Sequence, residues 1–463
     1  MSAVGRGVRL VREALQGGER DYTTMGLRRA VLLLGIPMVL EMAMESLFAL
    51  VDVLFVSRLG TDAVAVVGLT EGVMTLVYSL AWGLGAGITA VVARRTGEKD
   101  GEGMRRATGQ ALWIIVALGV LLALPGPLHA PGLLRLMGAS AAVEKLGTPF
   151  MRWMLGTNVL ILLLFGINAA FRGAGRAALA MRSLWLANLI NIVLDPILIF
   201  GLGPVPAMGV TGAAVATVIG RGCGVAYQCW HLFNGPGTLR LARRHMAVAW
   251  SVLLGILRLS GSACAQSLIA SASWLFLVRI VAAFGSDAVA GYTVAVRIVI
   301  FVLLPAWGIA NAASTLVGQN LGAMQPGRAE RSAWMCGHAN MLYMAGMTLL
   351  FLALAPWAMG FFTTDPVVGT TGVLALRIVS LGYVFYAYGM VLSQAFNGAG
   401  DTRTPLWLNL VCFWLVEIPL AWLLAHRMQA PEGVFIAIAF SESLLAILCM
   451  SIFRQGRWKL MRV

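Results

Sequence analysis

Gly60-Thr61-Asp62-Ala63-Val64-Ala65 returns 225 positions later as Gly285-Ser286-Asp287-Ala288-Val289-Ala290. Working outward, Ala81-Trp82-Gly83 returns as Ala306-Trp307-Gly308, Arg152 as Arg377, and Ala170-Phe171-Arg172-Gly173-Ala174-Gly175 as Ala395-Phe396-Asn397-Gly398-Ala399-Gly400, all at the same offset. Several matched blocks in one register mark an internal repeat. The chain therefore reads as two halves joined near Asn234-Gly235-Pro236-Gly237-Thr238. The expected division is an N-terminal segment 1–29, a lobe 30–235, a linker 236–246, a second lobe 247–454 and a tail 455–463.

The halves are too apolar for water. The 463 residues are 59% hydrophobic and 12% charged, with a mean hydropathy of +0.83, whereas a soluble domain carries about 25% charged residues. Apolar runs of roughly 20 residues or more fall near 30–57, 63–92, 107–128, 141–170, 178–201, 209–231, 247–284, 289–318, 332–356, 367–395, 405–427 and 433–453. The fold class is an all-α polytopic membrane protein, with twelve transmembrane helices in two pseudo-symmetric six-helix bundles. Six is even, so the repeats enter the membrane from the same side, related by a pseudo-two-fold along its normal. A cavity between halves that rock against each other is the transporter arrangement.

Net charge is +14, which raises nucleic acid as a partner. The distribution excludes it: placing the N-terminus in the cytoplasm puts 24 of the 34 basic residues, from Arg6 to Arg462 and including Arg172, in inner segments. They are spread over short loops without interleaved aromatics. A multi-pass protein of the cell membrane with both termini cytoplasmic is expected. Residues 1–29 lack the apolar core of a cleavable signal peptide. The six cysteines lie inside apolar runs without a C-x-x-C pair and read as packing residues. No H-E-x-x-H, phosphate-binding loop or G-x-S-x-G occurs. An embedded acyltransferase would show a His–acid pair and a channel a filter loop; neither is evident, so no enzyme activity and no cofactor are expected.

The chemistry lies in acids at membrane depth. Asn188-Leu189-Ile190-Asn191-Ile192-Val193-Leu194-Asp195-Pro196 sets Asn191 and Asp195 one turn apart, with Asn188 near the same face. Pro196 offers no N–H, which frees the Ile192 carbonyl. A buried carboxylate beside an amide and a freed carbonyl can hold a proton or a small cation. Span 1 carries Glu41, Glu45 and Asp52 within about 40° of one another on one face. Asp52 and Asp195, brought together in a dry lobe, share a proton because both cannot ionise cheaply. At the repeat offset these span 1 acids become Gln266, Ala270 and Leu277, so the first half is expected to carry the coupling chemistry. Pro37 precedes the acidic face and is placed to bend it. Glu71, Tyr78 and Trp82 form one candidate wall of a substrate cavity, since aromatic faces attract organic cations; Tyr383 and Tyr386 are candidates from the other half. The intramembrane arginines need partners, and Glu442 stands isolated.

The residues resemble the multidrug and toxic compound extrusion (MATE) family. The matching stretches are Val51-Asp52 with Val56-Ser57-Arg58-Leu59-Gly60, Arg172-Gly173-Ala174-Gly175, Asn191 to Pro196, Gly212-Ala213-Ala214-Val215-Ala216-Thr217, Val317 to Gly322, and Phe396 to Thr402. The resemblance implies a two-lobed exporter of organic, often cationic compounds in exchange for H+ or Na+. It implies a coupling-ion site at Asp52, Asn191, Asp195 and Thr217, able to take Na+ as its metal, with Pro37 as the bending proline. Glu41 and Glu45 stand outside that pattern and are candidates, from their shared face with Asp52, to extend the proton path or attract a cation. Small organic cations or drugs are the expected substrates, the lipid bilayer the surroundings, and a monomer the expected state. The alternative is a flippase of lipid-linked precursors or polysaccharide, whose cavity should be cationic; the acid-rich first half speaks against it.

Overall fold

The computed structural model describes residues 3–461 and 463; Arg462 and the Arg6 side chain, counted above among the basic residues, lie outside the described residues. Regular structure among the described residues is helical throughout. A short helix α1 (Ala3–Gln16) precedes α2 (Leu27–Ser57), α3 (Thr61–Gly97), α4 (Gly101–Ala123), α5 (Gly126–Leu136), α6 (Ala141–Gly156), α7 (Asn158–Gly173), α8 (Ala177–Phe200) and α9 (Val210–Phe233). The second half runs α10 (Trp250–Ala282), α11 (Ser286–Gly322), α12 (Pro326–Gly360), α13 (Pro366–Leu381), α14 (Tyr383–Ala399), α15 (Arg403–Asn409), a π-helical segment Leu410–Glu417, α16 (Ile418–Met428) and α17 (Glu432–Arg454). Nine spans among the described residues are long and apolar enough to cross a membrane, and eleven when α6 with α7 and α13 with α14 each count as one bent span. Helix α2, 31 residues long and carrying Glu41, Glu45 and Asp52, stands where the sequence places its first span.

The repeat survives in the backbone. Helices α3 and α11 begin and end 225 residues apart, each preceded by a glycine in the left-handed region, Gly60 at φ 101° and Gly285 at φ 103°. The bent spans also correspond: α6 and α7 meet at Thr157 with a 42° bend, and α13 and α14 meet at Gly382 with a 60° bend. Lipid tails are as apolar as leucine, so these helices associate through close packing and interhelical hydrogen bonds. Glycines provide the close packing in symmetric pairs. A Cβ on Gly83 would lie 2.3 Å from the Cys264 backbone of α10, and one on Gly308 would lie 2.6 Å from the Val39 backbone of α2. Val39 and Cys264 are themselves repeat partners.

The halves are interlocked. The first part of α2, with Ala30, Leu34 and Met38, sits in the core of the second lobe, while Val56 near its end sits in a core of the first. Reciprocally, Ile256 and Cys264 of α10 belong to the core of the first lobe. The sequence boundaries assign α2 wholly to one lobe and α10 to the other; each in fact bridges both. At the end that carries both chain termini, α3 and α11 cross so tightly that a Cβ on Gly97 would meet the Gln319 carbonyl and one on Gly322 the Arg94 carbonyl. Hydrogen bonds between the lobes gather there too. Gln319 donates to the Gly173 carbonyl at 2.9 Å. Arg328 donates to the carbonyls of Tyr22 and Met25, and Arg94 to that of Met461.

Candidate functional site

Helix α8 faces α2 through a ladder of polar rungs. Trp185 Nε1 donates to the Leu40 carbonyl at 3.0 Å, and Asn188 Nδ2 to Glu45 Oε2 at 2.9 Å. Further along, Asp195 lies within electrostatic reach of Asp52. On its other side α8 packs on α9, drawn close by glycines: a Cβ on Gly220 would lie 2.4 Å from the Ala187 carbonyl, and one on Gly212 2.5 Å from that of Leu198. That approach lets Asn191 Nδ2 donate to Thr217 Oγ1 at 2.9 Å. The structure thus brings together Asp52, Asn191, Asp195 and Thr217 from three helices.

Buried oxygens at this place lack donors. Both carboxyl oxygens of Asp195, which is fully buried, Oδ1 of Asp52 and Oδ1 of Asn191 make no hydrogen bond among the described residues. Orphaned buried polar atoms each cost about 1–3 kcal/mol unless a partner satisfies them. All four residues present oxygen, the donor type suited to a hard cation; a proton on a carboxyl meets the same need. No three acids, cysteines or histidines converge on a metal site among the described residues, so a metal here would rest on two carboxylates plus neutral oxygens.

The other candidates divide. Glu41 is fully buried, but its Oε1 accepts from Arg172 Nη1 at 2.8 Å and from Asn168 Nδ2 at 3.0 Å. Asn168 continues to Ser183 and Gln228, at 2.8 and 2.7 Å. The positive-inside pattern places Arg172 in an inner segment; there it is a buried counter-ion, because α7 extends to Gly173 and carries it inside. Asn168, Ser183 and Gln228 escaped the sequence reading, although each is a polar residue inside an apolar run. Glu71 is exposed on α3, within reach of Asp52 and of Arg297 on α11. Arg221 donates to the Tyr78 hydroxyl at 2.5 Å and lies over its ring at 5.7 Å. Trp82 is 52% exposed beside Tyr78, with 6.3 Å between rings. Tyr383 corrects an expectation: it is fully buried against Phe351, with no face open to a cavity. Its neighbour Tyr386 is half-buried. Helix α2 runs unbroken through Pro37 in this conformation.

The sequence profile of the MatE family matches residues 37–197 and 262–423, one block in each lobe. The chain belongs to the MatE family. It is accordingly a membrane transporter of the multidrug and toxic compound extrusion type, and not an enzyme. Among relatives, it is 26% identical over 426 residues to the probable multidrug resistance protein YoeA of Bacillus subtilis, covering 90% of this chain and 92% of that one. It is 24% identical over 440 residues to the probable multidrug resistance protein NorM of Thermotoga maritima, with 94% and 93% covered. It is 27% identical over 409 residues to the FAD transporter of Shewanella oneidensis, with 87% and 89% covered. Among solved structures, a MOP superfamily transporter from Pyrococcus furiosus, described as having a binding pocket of reverse polarity, aligns at TM-score 0.88. Its identity is 27%, over 97% of each chain. A multidrug resistance MATE transporter in its outward-facing conformation aligns equally well, at 0.88, with 27% identity and 97% of each chain covered. The MatE blocks begin at Pro37 and end just past Pro196 in the first lobe, so they enclose the α2 and α8 acids but not Thr217.

Proposed function

We propose that this MATE protein is a secondary antiporter that exports amphipathic organic cations in exchange for H+ or Na+, bound at Asp52, Asn191, Asp195 and Thr217. The observation that carries the reading is the set of donor-less buried oxygens on Asp52, Asn191 and Asp195. The lobes are sealed at the termini-bearing end, and Trp82 and Glu71 lie open on α3; the basic bias of the loops supports placing the sealed end in the cytoplasm of a cell-membrane protein. In this reading the coupling ion arrives from outside and neutralises the Asp52–Asp195 pair. The resulting change in α2 packing then releases substrate outward, with Pro37 as the compliant point of the helix. Glu45 and Asn188 extend the polar path. Glu41 carries its own counter-ion in Arg172, so its role is structural. The monomer holds the whole site.

The test is dye efflux from proteoliposomes under a pH gradient and a Na+ gradient imposed separately. Efflux driven by one of them supports antiport and names the ion; response to neither rejects it. A second reading, export of an anionic dinucleotide, is favoured by Arg221, which donates to the Tyr78 hydroxyl, by Arg297, which lies within reach of Glu71, and by the FAD-transporter relative. A flavin dinucleotide added to the same vesicles separates the two: competition with the cationic dye moves the assignment to the anion.

A further inference from the structure

The second lobe holds an acid pair of its own, at the place that corresponds to the first site. Spans 11 and 12 repeat spans 5 and 6. Asp195-Pro196 on α8 has its counterpart in Glu417-Ile418-Pro419, displaced a few residues by a slip in register, and Thr217 on α9 has its repeat partner in Glu442 on α17. A glycine again draws the helices together: a Cβ on Gly433 would lie 2.3 Å from the Ala425 backbone, as Gly212 abuts Leu198 in the first lobe. Glu417 ends the π-helical segment Leu410–Glu417, an irregularity frequent at functional sites.

The surroundings are dry and hold no counter-ion. Glu417 is 4% exposed and Glu442 5%. Neither forms an ion pair among the described residues. The two acids lie within electrostatic reach of each other and of Tyr292 on α11 and Tyr386 on α14, while Tyr383 on α14 is within reach of Glu442. Cys412, on the π-helical segment itself, and Tyr343 on α12 complete the titratable groups around the cluster. The Tyr292 ring is stacked on Phe435 of α17 at 5.9 Å, two turns before Glu442, and its buried hydroxyl has no hydrogen-bond partner. Among the described residues, Glu442 Oε2 and the Tyr383 hydroxyl also lack partners. Two carboxylates without a cation at this depth are tolerable only when a proton neutralises one of them.

We propose that Glu417 and Glu442 form a second proton-binding site, the pseudo-symmetric twin of the Asp52–Asp195 site, with the Tyr292 and Tyr386 hydroxyls as its polar wall. It stands independently of the antiport reading, because its test needs no transport. Difference infrared spectroscopy of the purified full-length chain across a pH titration should show a protonated-carboxyl band that persists in the Asp52→Asn/Asp195→Asn variant. The band should shift its pH midpoint in Glu417→Gln and in Glu442→Gln and vanish when both are replaced, with about one fewer proton bound per chain over the titration in each single variant. Glutamine copies the shape of a protonated glutamate; should Glu442→Gln fail to fold, Glu417→Gln carries the same readout. A spectrum and proton count unchanged in these variants overturns the proposal. So does loss of the band on adding Na+ at constant pH, which assigns a metal cation instead.

Discussion

The first lobe places a carboxylate, an amide and a hydroxyl where α8 meets α9, and borrows a second carboxylate from α2. The second lobe places two glutamates where the π-helical segment meets α17, and borrows a tyrosine hydroxyl from α11. The backbones correspond closely enough that two bent spans, two left-handed glycines and a reciprocal pair of glycine contacts recur at one offset. The side chains do not. Duplication of a bundle preserves the positions at which a helix crossing can hold polar groups, because those are set by small residues and prolines. It leaves open which polar groups stand there. Pseudo-symmetry is therefore a better guide to where a site lies than to what it binds.

Asp195→Asn or Asp52→Asn breaks the comparison most severely. Each is expected to reduce gradient-driven dye efflux to background, with folding retained because asparagine resembles a neutral carboxyl; full transport in either variant removes the first site from the mechanism. Arg172→Leu comes next. It strands the buried Glu41 carboxylate, a loss of about 3–5 kcal/mol that should show in the detergent melting temperature. Adding Glu41→Gln should restore most of it, and failure to do so would mean that Arg172 does more than balance that charge. Gly83→Val and Gly308→Val sharpen the structural half of the comparison. Overpacking costs about 1–3 kcal/mol, and the pseudo-two-fold requires similar losses from both; a large effect from one alone marks that crossing as the mobile one.

The smallest effect concerns the N-terminal latch on the sealed end. Asp21 accepts from Thr23 Oγ1 at 2.5 Å and from its N–H at 2.9 Å, with Lys99 at 3.5 Å. The Thr23 hydrogen bonds hold its carboxyl below the usual carboxylate range. A depressed folded-state value contributes stability above the ordinary carboxylate range, lost as pH falls through the folded value. The hydrogen-exchange protection factor around Tyr22, whose hydroxyl donates to the Gly175 carbonyl at 3.3 Å, should therefore fall on acidification. Asp21→Asn should lower the protection factor at neutral pH by several-fold at most and flatten its acid dependence.

The repeat, the span order and the α2 and α8 acids were legible because they are local or periodic: a 20-residue apolar run, a fixed offset, one turn between Asn191 and Asp195. The partners of the arginines were not. Arg172 reads as one more positive-inside residue until α7 carries it into the bundle, and Arg221 as an intramembrane charge in search of an acid until it meets the Tyr78 ring and hydroxyl within electrostatic reach of Asp52. Tyr383 resembled a cavity aromatic and proved to be core. Glu442 looked solitary because its companions Glu417 and Tyr292 stand 25 and 150 residues away in the chain.

What the sequence alone determined is what hydrophobicity and duplication determine: a polytopic helical membrane protein of two related bundles, with acids in the first span and the fifth. What only the tertiary structure decided is which polar groups have partners. In a low-dielectric interior that question turns on distances of a few ångströms between helices far apart in the chain. Glu41 found its arginine there, while Asp195 and Glu442 were left with oxygens that nothing among the described residues satisfies.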